Sequence, residues 1–227
     1  MYLVLVRHGQ SEYNKANQFC GWTDVDLSQE GIDEAHRAGK LLREKDFKFD
    51  MYYTSVLIRA IHTMNCILEE LDVKNPVIKS SWKLNERHYG ALQGLNKDES
   101  REKYGEEQVR QWRRSASVKP PELTKDDPRY PGFDEKYKDL AEEQLPLTEN
   151  LLDTVKRVQE YYNDEIKGQL ESGKNILISA HGNSLRALVK YLENINDDDI
   201  MNFEIPTGKI YVYELDKDLN VLKHYFI

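Results

Sequence analysis

Two runs in this chain, Tyr2-Leu3-Val4-Leu5-Val6 and Asn175-Ile176-Leu177-Ile178-Ser179-Ala180, are apolar without polar–apolar alternation. A strand with one wet face alternates, whereas a strand without alternation is covered on both faces. Sheets made of such strands carry helices on both sides, and the sequence between the two runs supplies them. After the N-cap signal Asp26-Leu27-Ser28, apolar residues Ile32, Ala35, Ala38, Leu41 and Leu42 keep helical spacing to about Lys45. Phe49–Tyr53 reads as a second strand. Thr54 or Ser55 then caps a helix striped by Leu57, Ile61, Met64, Leu68 and Leu71, and Val77-Ile78 reads as a third strand. Thr148 opens a long helix carrying Leu152, Val155, Val158, Tyr162 and Ile166, which Gly173 ends. Another helix runs from Ser184 to about Glu193, and Lys209–Ile227 alternates as two strands around a turn near Asp216–Asp218. The pattern predicts an α/β fold, with a mostly parallel central sheet and helices on both faces.

Residues 82–147 depart from it. They are polar and hold five of the seven prolines. Helical pieces fit near 98–115, and 118–148 reads as irregular. We take 1–227 as one domain, with 82–147 as an insertion over the carboxyl ends of the strands, because long loops in compact domains are usually functional.

Charge narrows the function. The formal net charge is −8, which argues against broad nucleic-acid binding. No run of 18 apolar residues spans a membrane, and Arg7-His8 interrupts the first apolar stretch too early for a signal peptide. Cys20 and Cys66 lack metal or redox spacing and read as reduced thiols of a cytoplasmic protein. A small anionic ligand would need a local nest of Arg and Lys against this acidic background.

The sequence offers one. The first strand runs into Arg7-His8-Gly9-Gln10-Ser11-Glu12-Tyr13-Asn14, and the late strand ends in His181-Gly182-Asn183. In open α/β sheets ligands bind at the carboxyl ends of strands, so both His-Gly pairs can face one crevice. The glycines let backbone approach a ligand, and the helix after Asn183 offers N–H groups and a positive dipole end. Arg59 lies one turn into a helix that follows a strand end. Lys97, Arg113 and Arg114 lie in the insertion. Guanidinium forks bind phosphate. An imidazole among arginines stays neutral and nucleophilic, and a second one, if protonated, stabilises charge on a transferring phosphoryl group. Glu86, just beyond the third strand, is the best-placed proton acceptor for a hydroxyl substrate. On these grounds either His8 or His181 is the nucleophile.

RHG (7–9), HGN (181–183) and, more specifically, ERHYGALQGLNK (86–97) with QWRR (111–114) resemble the cofactor-dependent phosphoglycerate mutases of the histidine phosphatase superfamily. The similarity also covers GWTDVDLS (21–28), YTSVLIRAIHT (53–63), ELTKDDPRYPG (122–132), LPLTE (145–149), SAHGNSLRALVKYL (179–192) and IPTG (205–208). The resemblance implies that His8 carries the phosphoryl group, His181 stabilises its transfer, and Glu86 is the acid/base. Arg7 and Arg59 join them as catalytic residues. The binding positions it implies are Arg7 to Asn14, Cys20, Gly21, Arg59, Glu86, Arg87, His88, Tyr89, Lys97, Arg113, Arg114, Gly182 and Asn183. It implies interconversion of 3- and 2-phosphoglycerate in glycolysis and gluconeogenesis, 2,3-bisphosphoglycerate as priming cofactor, no metal, and a homo-oligomer of two or four copies.

Two departures stand out. Cys20 replaces a small hydroxyl residue, and the chain stops at Ile227, where many relatives continue with a tail that closes the site. A shorter tail would let water compete for phospho-His8. A phosphatase of the same superfamily is therefore the second hypothesis. A phosphate sensor without activity is the third, and it would be favoured by loss of His8, His181, Glu86 or Arg59, all of which are present. Elsewhere, His62 and Cys66 read as packing residues, His36 as a solvated one, and Asp197-Asp198-Asp199 as the start of a short helix. Arg186 reads equally as a helix salt bridge or a ligand contact.

Overall fold

A computed structural model describes residues 1–227. The strands are β1 (Tyr2–Arg7), β2 (Met51–Thr54), β3 (Ile78–Ser80), β4 (Ile176–Ala180), β5 (Ile210–Leu215) and β6 (Val221–Phe226). The helices are α1 (Glu12–Lys15), α2 (Gln29–Glu44), α3 (Ile58–Glu70), α4 (Lys97–Tyr104), α5 (Glu106–Arg114), α6 (Leu151–Tyr161), α7 (Lys167–Glu171) and α8 (Gly182–Glu193). One six-stranded sheet has the order β3-β2-β4-β1-β5-β6. The β3–β2, β2–β4 and β4–β1 pairs are parallel, and β5 and β6 add an antiparallel edge. The mostly parallel α/β sheet is thus as the unalternating strands predict.

The reason lies in β1 and β4. Successive strand residues point to opposite faces. Leu3 and Leu5 join Ile176 and Ile178 in a core with Leu151, Val158, Leu185 and Leu188 of α6 and α8. Val4 and Val6 join Leu177 in a second core with Ala38, Leu42, Met64 and Ile67 of α2 and α3. Each strand is dry on both faces because each face has its own helical layer. No helix is long and apolar enough to cross a membrane.

Local boundaries shift in physically readable ways. Ser28 caps α2 as predicted, accepting the Gly31 N–H. Ser55 Oγ accepts the Leu57 N–H, but Leu57 is the residue at the N-cap of α3. Asn150, not Thr148, caps α6 through a reciprocal pair with Asp153. The buried stripe of α6 accordingly contains Leu151 and Val158, while Leu152 is exposed. This helix is not continuous to Gly173, because a π-turn at Tyr162–Ile166 precedes α7. Gly105, with φ +90°, splits the 98–115 region into α4 and α5. Residues 115–150 contain only short 3-10 turns. One such turn, Asp199–Asn202, follows Asp198, near the reading of the acidic run as a helix start.

Candidate active site

Strand register builds the site. Arg7 pairs with Ala180 across β1 and β4, and the His8 N–H donates to the Ala180 carbonyl at 2.9 Å. The residues that follow, His8 and His181, must therefore lie side by side. Their ring centroids are 4.9 Å apart at 60°. In β2, Thr54 pairs with Ser179, which carries Ser55 to within 2.8 Å of His181 Nε2. The carboxyl ends of all three strands thus meet at one place, where ligands bind in open α/β sheets.

His8 is buried, and its Nδ1 lies 2.6 Å from the Gly9 carbonyl. A carbonyl only accepts, so Nδ1 carries the hydrogen and the lone pair of Nε2 is free. Burial, then the Arg59 and Arg7 guanidiniums, hold the imidazole well below the usual histidine pKa. It is neutral, with the Nε2 lone pair that a nucleophile requires. His181 is shifted the same way by burial, Arg59 and His8. That changes the predicted role of the second imidazole. Ser55 Oγ already accepts the Leu57 N–H, so its own hydrogen is free for His181 Nε2. Nδ1 then holds the remaining hydrogen and has no protein partner. The second ring thus offers a neutral N–H donor, rather than an imidazolium, beside His8.

Two arginines sit around the pair. Arg59 is fully buried and donates to the Thr23 and Gly21 carbonyls at 2.9 and 2.7 Å. Arg7 donates to the Ile205 carbonyl at 2.8 Å. In both, the buried Nε has no protein partner. Packing also requires the two glycines. A Cβ on Gly9 would sit 2.1 Å from the Gly31 carbonyl oxygen, so Gly9 lets β1 pass against α2. A Cβ on Gly182 would meet the Arg7 guanidinium at 3.1 Å.

Glu86 is clamped. Its Oε1 accepts the Arg87 and Asn183 backbone N–H groups at 2.8 and 3.0 Å, while Oε2 accepts nothing. One N–H of the α8 N-terminus, that of Asn183, thus holds Glu86. Its carbonyl accepts Trp22 Nε1 at 2.7 Å and Arg157 Nη2 at 3.0 Å. Arg157 forms a bidentate pair with Glu149 at 2.7 and 2.9 Å, both nearly buried, and also donates to the Lys83 and Asn85 carbonyls. The sequence reading missed this clamp, and it missed Ser55 as the partner of His181. Only Ser55's position after a strand end could have marked it.

A second cationic group adjoins Glu86. Arg87 is fully buried, with Nε and Nη1 unpartnered and Nη2 donating to the Tyr89 hydroxyl and the Arg113 carbonyl. Burial would raise the Tyr89 phenol, but Arg87 and Arg113 bring it below its ordinary value. Asn183 Nδ2 reaches the same hydroxyl at 3.2 Å. Lys97 is lowered by burial and by Arg113, and Arg113 by burial. Arg114 is engaged by Glu204 at 2.6 Å.

Several of the remaining predicted positions are engaged within the protein. Ser11 and Asn14 form a reciprocal cap on α1, and both approach the Cys20 sulfur, at 3.4 and 3.5 Å. Gln10 binds Ser28, and Glu12 is exposed with no side-chain hydrogen bond. Tyr13 makes no side-chain hydrogen bond either. His88 is buried against Trp22, accepts the Gly90 N–H, and is lowered to about 4 by burial. It shores up the loop of Glu86. Arg186 turns out to hold Asn183 Oδ1 and the Ile200 carbonyl, at 2.8 and 2.7 Å. His62 pairs with Asp26. No group of three His, Cys, Asp or Glu residues is arranged to hold a metal ion.

Known structures share this architecture. A mycobacterial glucosyl-3-phosphoglycerate phosphatase superposes with TM-score 0.73 at 20% identity, covering 99% of this chain and 96% of that one. The α-ribazole phosphatase of Shigella flexneri does so with TM-score 0.68 at 21% identity, covering 98% and 95%. YhfR of Bacillus stearothermophilus gives 0.69 at 22%, covering 95% and 91%. At these identities the likeness is one of fold. The family match is made on sequence and spans residues 3–227, almost end to end, so the chain belongs to branch 1 of the histidine phosphatase superfamily.

Proposed function

We propose that this chain is a phosphoglycerate mutase, interconverting 3- and 2-phosphoglycerate through phospho-His8, in the cytoplasm and as a homo-oligomer. The single observation that carries the reading is the second cationic group. Arg7, Arg59 and His181 suffice for one phosphoryl group, yet Arg87 keeps two buried donors unpartnered beside Tyr89, Lys97 and Arg113. Buried donors without partners are costly unless a ligand satisfies them. They fit a substrate with a second anionic group, as phosphoglycerates are. The same donors fit 2,3-bisphosphoglycerate, which supplies the priming phosphoryl group when bound.

Each residue has a definite task. His8 Nε2 takes up the phosphoryl group. Arg7, Arg59 and His181 Nδ1–H hold its oxygens, and Arg87, Tyr89 and Arg113 hold the other anion. Glu86 Oε2, free of protein donors, takes the proton of the attacking hydroxyl and returns it to the leaving oxygen. A phosphatase is the second reading, supported by the fold likeness to the two phosphatases named above. The deciding experiment follows 3- to 2-phosphoglycerate conversion, with and without trace 2,3-bisphosphoglycerate, while measuring inorganic phosphate in the same tube. Fast conversion that needs the trace donor supports the mutase. Phosphate release without isomerisation overturns it in favour of the phosphatase.

A further inference from the structure

The mouth of the crevice holds a carboxylate that the proposed reaction does not use. Glu204 Oε2 accepts from Arg114 Nη2 at 2.6 Å, and Oε1 faces Arg7 Nη1 at 3.3 Å. With Tyr89, Arg113, Gly182, Asn183 and Arg186, Glu204 and Arg114 line a small polar cavity. Glu204 is the only acid on that wall, among three arginines. Burial would raise its pKa, but Arg114 and Arg7 hold it below the ordinary carboxylate range, so it is ionised at neutral pH.

The loop that follows it is pinned, while its own side chain is held only by Arg114 and Arg7. Ile205 is fully buried, and its carbonyl accepts Arg7 Nη1 at 2.8 Å. The Gly208 N–H donates to the Arg7 carbonyl at 3.1 Å, and the Arg7 N–H to the Lys209 carbonyl at 3.2 Å. The Glu204 side chain, by contrast, is 42% exposed. It can swing into water without moving the loop.

We propose that Glu204 sets ligand specificity at this site: it is an internal counter-anion on Arg114 that a ligand bringing a second anionic group must displace, while a ligand with one phosphate leaves it in place. The inference rests on the reading of the crevice as a site for two anions. Its consequence for that reading is direct. A carboxylate competing for Arg114 loosens the doubly anionic ligand and shortens the time it stays bound, so more phospho-His8 is left to water. Arg7 is affected less, because its shorter bond is to the Ile205 carbonyl rather than to Glu204.

The test uses Glu204→Gln, which keeps the shape and a hydrogen bond to Arg114 but removes the charge. Dissociation constants of inorganic phosphate and of 2,3-bisphosphoglycerate are measured by calorimetry for both proteins at fixed pH and ionic strength. Removing one facing charge should tighten bisphosphoglycerate about tenfold and inorganic phosphate less than about twofold. A Glu204→Ala protein should show the same widened ratio. Equal tightening of both ligands would mean that Glu204 contributes only a general field. No change, weaker binding or no bisphosphoglycerate binding by either protein would also overturn the proposal. Turnover does not enter this readout. A wild-type chain that releases phosphate without isomerising sinks the mutase reading and leaves the ratio test intact, and an unmoved ratio sinks the Glu204 proposal in a working mutase.

Discussion

The imidazole of His8 meets that of His181 edge-on, with centroids 4.9 Å apart, because β1 and β4 are parallel and end in register. Both rings are buried, both are pushed towards neutrality by that burial and by Arg59, and each has one ring nitrogen without a protein partner for the chemistry. One is a lone pair and the other an N–H. The pair is thus polarised for phosphoryl transfer without either ring needing a charge.

Replacing His8 with Ala should remove the nucleophile and leave the fold. Phosphoryl transfer should fall by at least about 10³-fold. Protein exposed to labelled phosphoryl donor and quenched in alkaline detergent should carry alkali-stable, acid-labile label in the wild type and none in His8→Ala. A labelled His8→Ala protein would move the nucleophile to His181.

Glu86→Gln keeps an oxygen for the Arg87 and Asn183 N–H groups but removes the base. Isomerisation should drop about 10²–10⁴-fold. Melting temperature should hold within a few degrees. A KM rise at unchanged kcat would instead make Glu86 a binding group.

Acid should act on stability before it acts on His8. The unfolded chain takes up protons on its histidines as pH falls through about 6.5, and the folded chain, with His8, His181 and His88 depressed, does not. Stability is therefore complete above about pH 6.5 and is lost as pH falls towards the folded values. For His88, at about 4, the loss amounts to about 3 kcal/mol by that pH. Urea midpoints at pH 7 and pH 5 should differ in this direction, and kcat/KM should hold at pH 6, where a free imidazole is largely charged. A midpoint that rises on acidification would contradict the buried neutral histidines.

Breaking the Arg157–Glu149 pair on one side strands a buried charge. Glu149→Ala should cost about 3–5 kcal/mol, seen in thermal unfolding. The segment 83–88 is hung on the same two side chains, through the Lys83, Asn85 and Glu86 carbonyls and the His88 N–H. Turnover should consequently fall more than substrate affinity does.

Arg87→Met removes the unpartnered Nε and Nη1 while keeping bulk. KM for 3-phosphoglycerate should rise about tenfold or more, and the inhibition constant of inorganic phosphate should change little. Equal changes in both would place Arg87 in the same subsite as Arg59.

What the sequence determined by itself was whatever rests on near neighbours. Unalternating apolar residues in Tyr2–Val6 and Ile176–Ala180 dictate strands covered on both faces, and the spacing of Ala35, Ala38 and Leu42 dictates an amphipathic helix above them. Such patterns live within a few residues, so no partner need be known to read them. The RHG and HGN strand ends and the 86–97 block were legible for the same reason. Tertiary structure alone decided the rest. Register set His8 against His181, and folding brought Ser55 to His181, Arg157 beneath Glu86, and Glu204 onto Arg114. It also set Gly9 against the backbone of Gly31. A hydrogen bond or ion pair between residues distant in the chain leaves no local period in the sequence, because either partner alone would serve equally well as a solvated surface group. Only the closure of the sheet, driven by burial of its two apolar faces, brings the partners together and gives each polar side chain its role.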